Sequence, residues 1–205
     1  MQKAEHLPTQ LPEIEVSHKP RVIILNGVGS VGKTSTAQAL QEIVDCNFLH
    51  VSMDVFLGML PKRMFGHPDG MILEAIVDRD APSVIIHTGK VMARTTRGMR
   101  HAVAAMASVG NSIILDDVMM SGSEADEYRA LLRHVDLRFV GLHAPLEILE
   151  ERERMRGDRE IGLARWQFDR VHRGQTYDLE LDTTFYTPKQ IAQRIAAAFD
   201  IRLSD

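Results

Sequence analysis

Residues 26–35, NGVGSVGKTS, follow the apolar run VIIL at 22–25 and place glycines and small residues where a helix has to begin. Within this stretch Gly27, Val28, Gly29, Ser30, Val31, Gly32, Lys33 and Thr34 satisfy G-x-x-x-x-G-K-[ST] without a gap. The preceding RVIILN (21–26) is short and rich in β-branched residues, and reads as a buried strand. Residues 33–44 set Thr36, Ala37, Leu40, Ile43 and Val44 on one side of a helix. Strand before and helix after is the context the motif requires. Its glycines let the backbone fold into a concave nest with N–H groups pointing inward. The helix N-terminus adds free N–H groups and partial positive charge. Gly27 through Ser35 are therefore candidate ligands for the phosphates of ATP. Lys33 can reach the β- and γ-phosphates, and the Thr34 hydroxyl can take a place on Mg²⁺.

Outward from this loop the chain alternates strand and helix patterns. FLHVSM (48–53) reads as a second strand, and MILEAIV (71–77) with SVIIHT (83–88) as a small hairpin turning at DRDAP. Over 90–109, Val91, Met92, Thr95, Met99, Ala102, Val103, Met106 and Val109 form a helical stripe that ends at Gly110-Asn111. SIIL (112–115) is a buried strand stopping at two aspartates. Ser123 is placed to cap a helix over 124–134. LRFVGLH (137–143) and YDLELD (177–182) read as strands. Pro145 opens a helix running to about Met155, and Thr187-Pro188 opens a last one with Ile191, Ile195, Ala198 and Phe199 on one face. This order predicts an α/β, three-layer P-loop NTPase fold. It has a mostly parallel five-stranded sheet, helices on both faces and a small hairpin insertion. Residues 1–20 hold three prolines and little periodicity and read as a flexible N-terminal extension, with the kinase domain over 21–205.

In such sheets ligands sit off the carboxyl ends of the strands. Asp116 and Asp117 end SIIL. An acidic residue there can hold Mg²⁺ as a Walker-B carboxylate does, and Asp116 is assigned that role beside Thr34, with Asp117 structural. Asp54 ends FLHVSMD, where a carboxylate could accept the proton of an attacking hydroxyl; the alternative is a cap on a helix beginning at Val55. ERERMRGDR crowds Arg152, Arg154, Arg156 and Arg159 around a helix break at Gly157-Asp158. A hinged, arginine-bearing lid can close on the phosphates, and Arg156 and Arg159 are its candidates. The competing reading is a solvated face with Glu150, Glu151 and Glu153 paired to these arginines. The nine histidines lack metal-ligand spacing, and His172 reads as a surface or packing residue. Met53, Met59, Met64 and Met71 fill core gaps or line an apolar acceptor pocket.

Composition narrows the partners. Lys+Arg 24 against Asp+Glu 28, net −4, gives no field for a polyanion, so nucleic acid is not an expected partner. No apolar run reaches membrane-spanning length, so no membrane partner is expected. Cys46 is the single cysteine, so no internal disulfide can form, and a cytoplasmic location is the default expectation. A homo-oligomer is compatible with all of this.

The combination of IILNGVGSVGKT, MDVFLGMLPKRM, IILDDV, RMRGDR and VHRGQTYDLELDTT, in this order from about Arg21 to Phe199, resembles the chloramphenicol phosphotransferase family of small P-loop kinases. The resemblance implies transfer of the γ-phosphate of ATP to a hydroxyl of a small acceptor. By position it implies Asp54 as catalytic base, Lys33 and Thr34 in the P-loop, Asp116 on the metal side, and Arg156 and Arg159 in the lid. The likeness thins between Gly66 and Ser108, the acceptor-side half, so the antibiotic does not follow from it. The expected acceptor is a hydroxyl compound, with a sugar acid, a nucleotide or adenylylsulfate as alternatives. A low-turnover nucleotide-binding switch is the reading from another class.

Overall fold

The computed structural model describes residues 19–76, 82–157 and 160–204. Residues 1–18, 77–81, 158, 159 and 205 lie outside the described residues, and with them most of the expected N-terminal extension, the expected hairpin turn and Arg159.

Five strands, β1 (Arg21–Asn26), β2 (Phe48–Ser52), β5 (Ser112–Asp117), β6 (Asp136–His143) and β7 (Leu179–Asp182), form one sheet in the order β2-β5-β1-β6-β7. Every ladder in it is parallel. A short antiparallel hairpin of β3 (Met71–Ile76) and β4 (Ser83–Thr88) stands apart, with Met71 opposite Thr88 and Ile76 opposite Ser83.

The period-two alternation of the strands builds two cores. Ile23, Leu25, Ile114, Val140 and Leu142 face α1 (Lys33–Ile43) and α7 (Pro188–Ala198), meeting Ala37, Leu40, Ile191 and Ile195. Val22, Ile24, Ile113, Leu115 and Phe139 face α3 (Lys90–Ser108) and α4 (Gly122–Leu131), meeting Met99, Val103, Ala125 and Tyr128. Helices thus cover both faces, and the strand order reverses at β1, where ligand crevices form in sheets of this kind.

Several boundaries move for local reasons. Helix α4 is capped by Ser121, not Ser123, because Ser121 and Glu124 form a reciprocal capping box. Strand β7 begins at Leu179; just before it Asp178 binds Phe139 twice, its carboxylate accepting the Phe139 N–H at 2.7 Å and its own N–H donating to the Phe139 carbonyl at 2.9 Å. Helix α5 (Leu146–Arg156) starts one residue after Pro145 and ends at Gly157, whose φ of 68° stops it. Short α2 (Met53–Gly58), the 3₁₀ turn Lys62–Met64 and α6 (Leu163–Phe168) are too brief for periodicity to reveal.

Glu153 ties α5 to α6. It is 1% exposed, and its two carboxylate oxygens accept the N–H groups of Gly162 and Ala164, each at 2.8 Å. These are orphan donors at the start of α6, so this buried carboxylate is compensated by a helix N-terminus. Glu150 does pair with an arginine, but with Arg165 of α6 at 2.6 Å. Replacing Glu153 by Gln leaves one N–H facing an amide donor, and should cost about 1–3 kcal/mol of stability by denaturant unfolding. An unchanged midpoint would remove this tether from the account.

Candidate active site

The loop from β1 to α1 folds tightly because its backbone can. Gly32 at φ 97° and Ser30 at φ 64° occupy the left-handed region, and Gly32 is the N-cap of α1. A Cβ on Gly27 would lie 2.6 Å from the Leu142 carbonyl oxygen, so only glycine lets β1 pass β6 at this point. The Lys33 ammonium donates to the carbonyls of Gly27 at 2.7 Å and Val28 at 3.0 Å. Gln167 of α6 accepts the Gly29 N–H at 2.6 Å, joining α6 directly to the loop.

Alternation along β5 separates the two aspartates. Asp116 shares parity with Ile114 and faces α1, where its Oδ2 accepts the Thr34 hydroxyl at 2.9 Å and sits 2.9 Å from His50 Nε2. Burial alone would raise its pKa. Bonds from His50, Thr34 and Ser52 and the charge of Lys33 outweigh that and lower it, so the carboxylate stays ionised. Asp117 faces the other layer, accepting Tyr128 OH at 2.7 Å and the Val118 N–H at 2.7 Å. Burial raises its pKa despite those bonds. A hydroxyl beside an ionised carboxylate is a donor set that suits Mg²⁺, a cation that dehydrates reluctantly and leans on few protein ligands. Among the described residues no group of three or more His, Cys, Asp or Glu could hold a metal ion by itself.

A cleft of about 340 Å³ is lined by residues 29–36, Met53, Asp54, Asp116, Arg152, Arg156, Thr183, Tyr186, Pro188 and Ile191. Asp54 stands in the first turn of α2, on the rim of this cleft. The cap of α2 is Ser52, whose Oγ accepts the Asp54 N–H at 3.2 Å, so the cap alternative for Asp54 is corrected. Arg156 borders the cleft near the end of α5, and Arg159 lies outside the described residues. Arg152, which sequence reasoning ranked low, lines the cleft with its guanidinium held by the Thr183 carbonyl at 2.9 Å and hydroxyl at 3.1 Å. Of the four methionines, Met53 lines the cleft and Met59 is 64% exposed.

Behind the loop lies a polar network that the sequence did not announce. Buried Asn26 accepts the Met119 N–H at 2.8 Å and donates to the Val171 carbonyl at 3.0 Å and to Tyr177 OH at 2.7 Å. His172 Nδ1 is 2.7 Å from the same hydroxyl, and its ring stacks on His143 with centroids 4.0 Å apart. His172 is therefore a networked residue and not a surface one. Burial, then the charges of His143 and Lys33, lower its pKa to about 4, while burial raises Tyr177 to about 12. The tyrosine thus stays a donor and His172 Nδ1 its acceptor. Only the strand-end position of Asn26 hinted at this, since Gln167, His172 and Tyr177 lie in irregular or one-turn segments.

A parallel sheet with a Gly-Lys-Thr loop at its central strand, an acidic strand end beside the loop threonine and an arginine-bearing helix over the cleft is the arrangement of P-loop kinases. The chain belongs to the family described as "Chloramphenicol phosphotransferase-like protein", whose model matches residues 20–200. A phosphotransferase acting on a hydroxyl is the enzyme class that this membership supports. A Mycobacterium tuberculosis protein named "Putative O-phosphotransferase" is 27% identical over 184 residues, covering 87% of this chain and 82% of its own. Among solved structures, the Mycobacterium tuberculosis APS kinase CysC in complex with AMPPNP and APS shares the fold at a TM-score of 0.61. It is 14% identical, with 89% of this chain and 98% of that chain covered. A Sinorhizobium meliloti gluconokinase does so at 0.57 and 15% identity, with 89% and 92% covered.

The His172 network carries a pH signature. A histidine whose pKa is lowered from 6.5 to about 4 on folding binds fewer protons in the folded state between those values. Its contribution is complete above pH 6.5 and is lost as pH falls toward 4. His172→Asn, which can still accept from Tyr177 OH, should therefore lose less stability than the wild type between pH 7 and pH 4.5, as read by thermal melting. Parallel curves would show that His172 does not titrate as described.

Proposed function

We propose that this protein transfers the γ-phosphate of ATP to a hydroxyl of a small acceptor. The reading is supported above all by one cleft that gathers the Gly27–Ser35 loop, Thr34 with Asp116, Asp54 and Arg156. Residues 29–35 line the cleft and supply its phosphate end, where backbone N–H groups at the start of α1 serve the phosphates; the Gly29 N–H already donates to Gln167 and the Val31 N–H to the Val28 carbonyl, and Gly27 and Val28 shape the turn. Lys33 exchanges the Gly27 and Val28 carbonyls for β- and γ-phosphate oxygens. Arg152, Thr183, Tyr186 and Pro188 also line the cleft and are the residues we assign to the nucleoside. The Thr34 hydroxyl and the Asp116 carboxylate would hold Mg²⁺, which would supply positive charge against the phosphates.

In the transfer itself the acceptor oxygen bonds to the γ-phosphorus as the bond from that phosphorus to the β–γ bridging oxygen breaks, and ADP leaves with the electron pair. The acceptor proton passes to the Asp54 carboxylate. Arg156, at the end of α5 and lining the cleft, offsets charge as it builds on the phosphates; Arg159, the other arginine proposed for this role, lies outside the described residues.

A second reading concerns the acceptor. Solved structures of this fold include an APS kinase, a gluconokinase and a tunicamycin resistance protein, so a sugar acid or adenylylsulfate stands beside an antibiotic as an acceptor to be tested. The test begins with a panel of hydroxyl compounds, chloramphenicol and gluconate included, scored for ADP release above the water-only rate. With the best acceptor, Asp54→Asn should keep ATP affinity and lose about 10²-fold or more in transfer rate. An Asn variant with near-normal transfer would remove Asp54 as the base, and a panel in which no compound exceeds water would favour a nucleotide switch.

A further inference from the structure

Outside the groups that the proposed reaction uses, His50 has the most specific position. It lies on β2, the edge strand, with parity that turns it and Ser52 toward the α1 face. Ser52 is the ladder partner of Asp116, and His50 is the partner of Ile114, two residues before. Sequence reading counted it among nine scattered histidines. The fold brings its Nε2 to 2.9 Å from Asp116 Oδ2, the same oxygen that accepts the Thr34 hydroxyl at 2.9 Å. The two side chains are only 15% and 6% exposed.

An ionised carboxylate can only accept, so the contact requires His50 to carry its proton on Nε2. Oδ2 is thereby held between two donors from different elements, one from β2 and one from the start of α1. A third link reaches the same group through Ser52, whose Oγ also accepts the Asp54 N–H. A polar groove lined by Thr34, Ser35, Gln38, His50, Ser52, Asp54 and Arg156 opens beside this cluster. A histidine that merely filled space on an edge strand would have no reason to share an oxygen with the loop threonine.

We infer that His50 is a positioning residue for the divalent cation: it fixes the Asp116 carboxylate so that the Thr34 hydroxyl donates to Oδ2 and turns a lone pair toward the metal. The inference rests on the kinase reading above. His50 acts through Asp116, whose Oδ2 it meets at 2.9 Å. Outer partners that orient a metal-facing carboxylate typically change metal affinity by about 10–100-fold.

The test measures binding and not turnover. Mn²⁺ is titrated into the full-length protein saturated with AMPPNP, followed by electron paramagnetic resonance, and AMPPNP affinity is measured separately in EDTA. His50→Ala should weaken Mn²⁺ binding by about 10-fold or more and leave metal-free AMPPNP affinity unchanged. His50→Gln, whose amide Nε2 reaches the same oxygen, should recover most of the loss, which a structural role alone would not give. Thermal melting of both variants shows that they are folded. Wild-type Mn²⁺ affinity in folded His50→Ala overturns the inference and leaves the kinase reading standing. So does an equal loss of AMPPNP affinity with and without metal, or a folded Gln variant as weak as the alanine one. A wild-type protein that binds no AMPPNP in either condition overturns both.

Discussion

A carboxylate that stays charged inside the protein organises the working end of this sheet. Asp116 is 4% exposed, yet it is held ionised by a hydroxyl from α1, an imidazole from β2, the Ser52 hydroxyl and the nearby ammonium of Lys33. A buried charge of this kind costs several kcal/mol unless its donors are in place. The ends of β2 and β5 and the start of α1 must therefore arrive together. Parallel strands do this, because all their carboxyl ends lie at one edge of the sheet. Asp117, one residue on, faces the opposite layer and is bound by Tyr128, so the adjacent carboxylates are sorted by the alternation of a single strand.

The cleft has a second support on the other side of β1. Asn26, Gln167, His172 and Tyr177 join the loop to α6 and to the turn before β7 through hydrogen bonds of 2.6–3.0 Å. Glu153 ties that same α6 back to α5. The arginine-bearing end of α5 and the phosphate loop are thus joined through one short helix. The end of α5 thus has a hydrogen-bonded route to the Gly29 amide.

Much of this was legible in the sequence. The run VIIL before NGVGSVGKTS identified β1 and α1, since strand and helix periods change there and the motif marks the junction. The stripe over 90–109 and the pattern SIIL located α3 and β5 nearly to the residue. Asp116 stands out because it lies at the end of an apolar strand, and Asp54, although the structure puts it in the first turn of α2, because it follows the strand pattern FLHVSM. His50, Gln167 and Tyr177 do not, because their partners lie 66, 138 and 151 residues away in the chain. No local pattern encodes a contact at that separation. Arg152 was passed over for Arg156 and Arg159 because a charged run on a helix reads alike at every position. Only the packing of α5 against Thr183 singles it out.

The account stands on the Gly27–Thr34 loop being a phosphate cradle completed by Lys33. Isothermal titration of MgATP into the wild type and into Lys33→Ala examines this most directly, with melting curves to show that both are folded. Loss of a charge-assisted contact to phosphate, worth about 1.5–3 kcal/mol, predicts affinity weakened by about 10–100-fold in the variant. Equal affinities in two folded proteins, or no binding by the wild type, would contradict it.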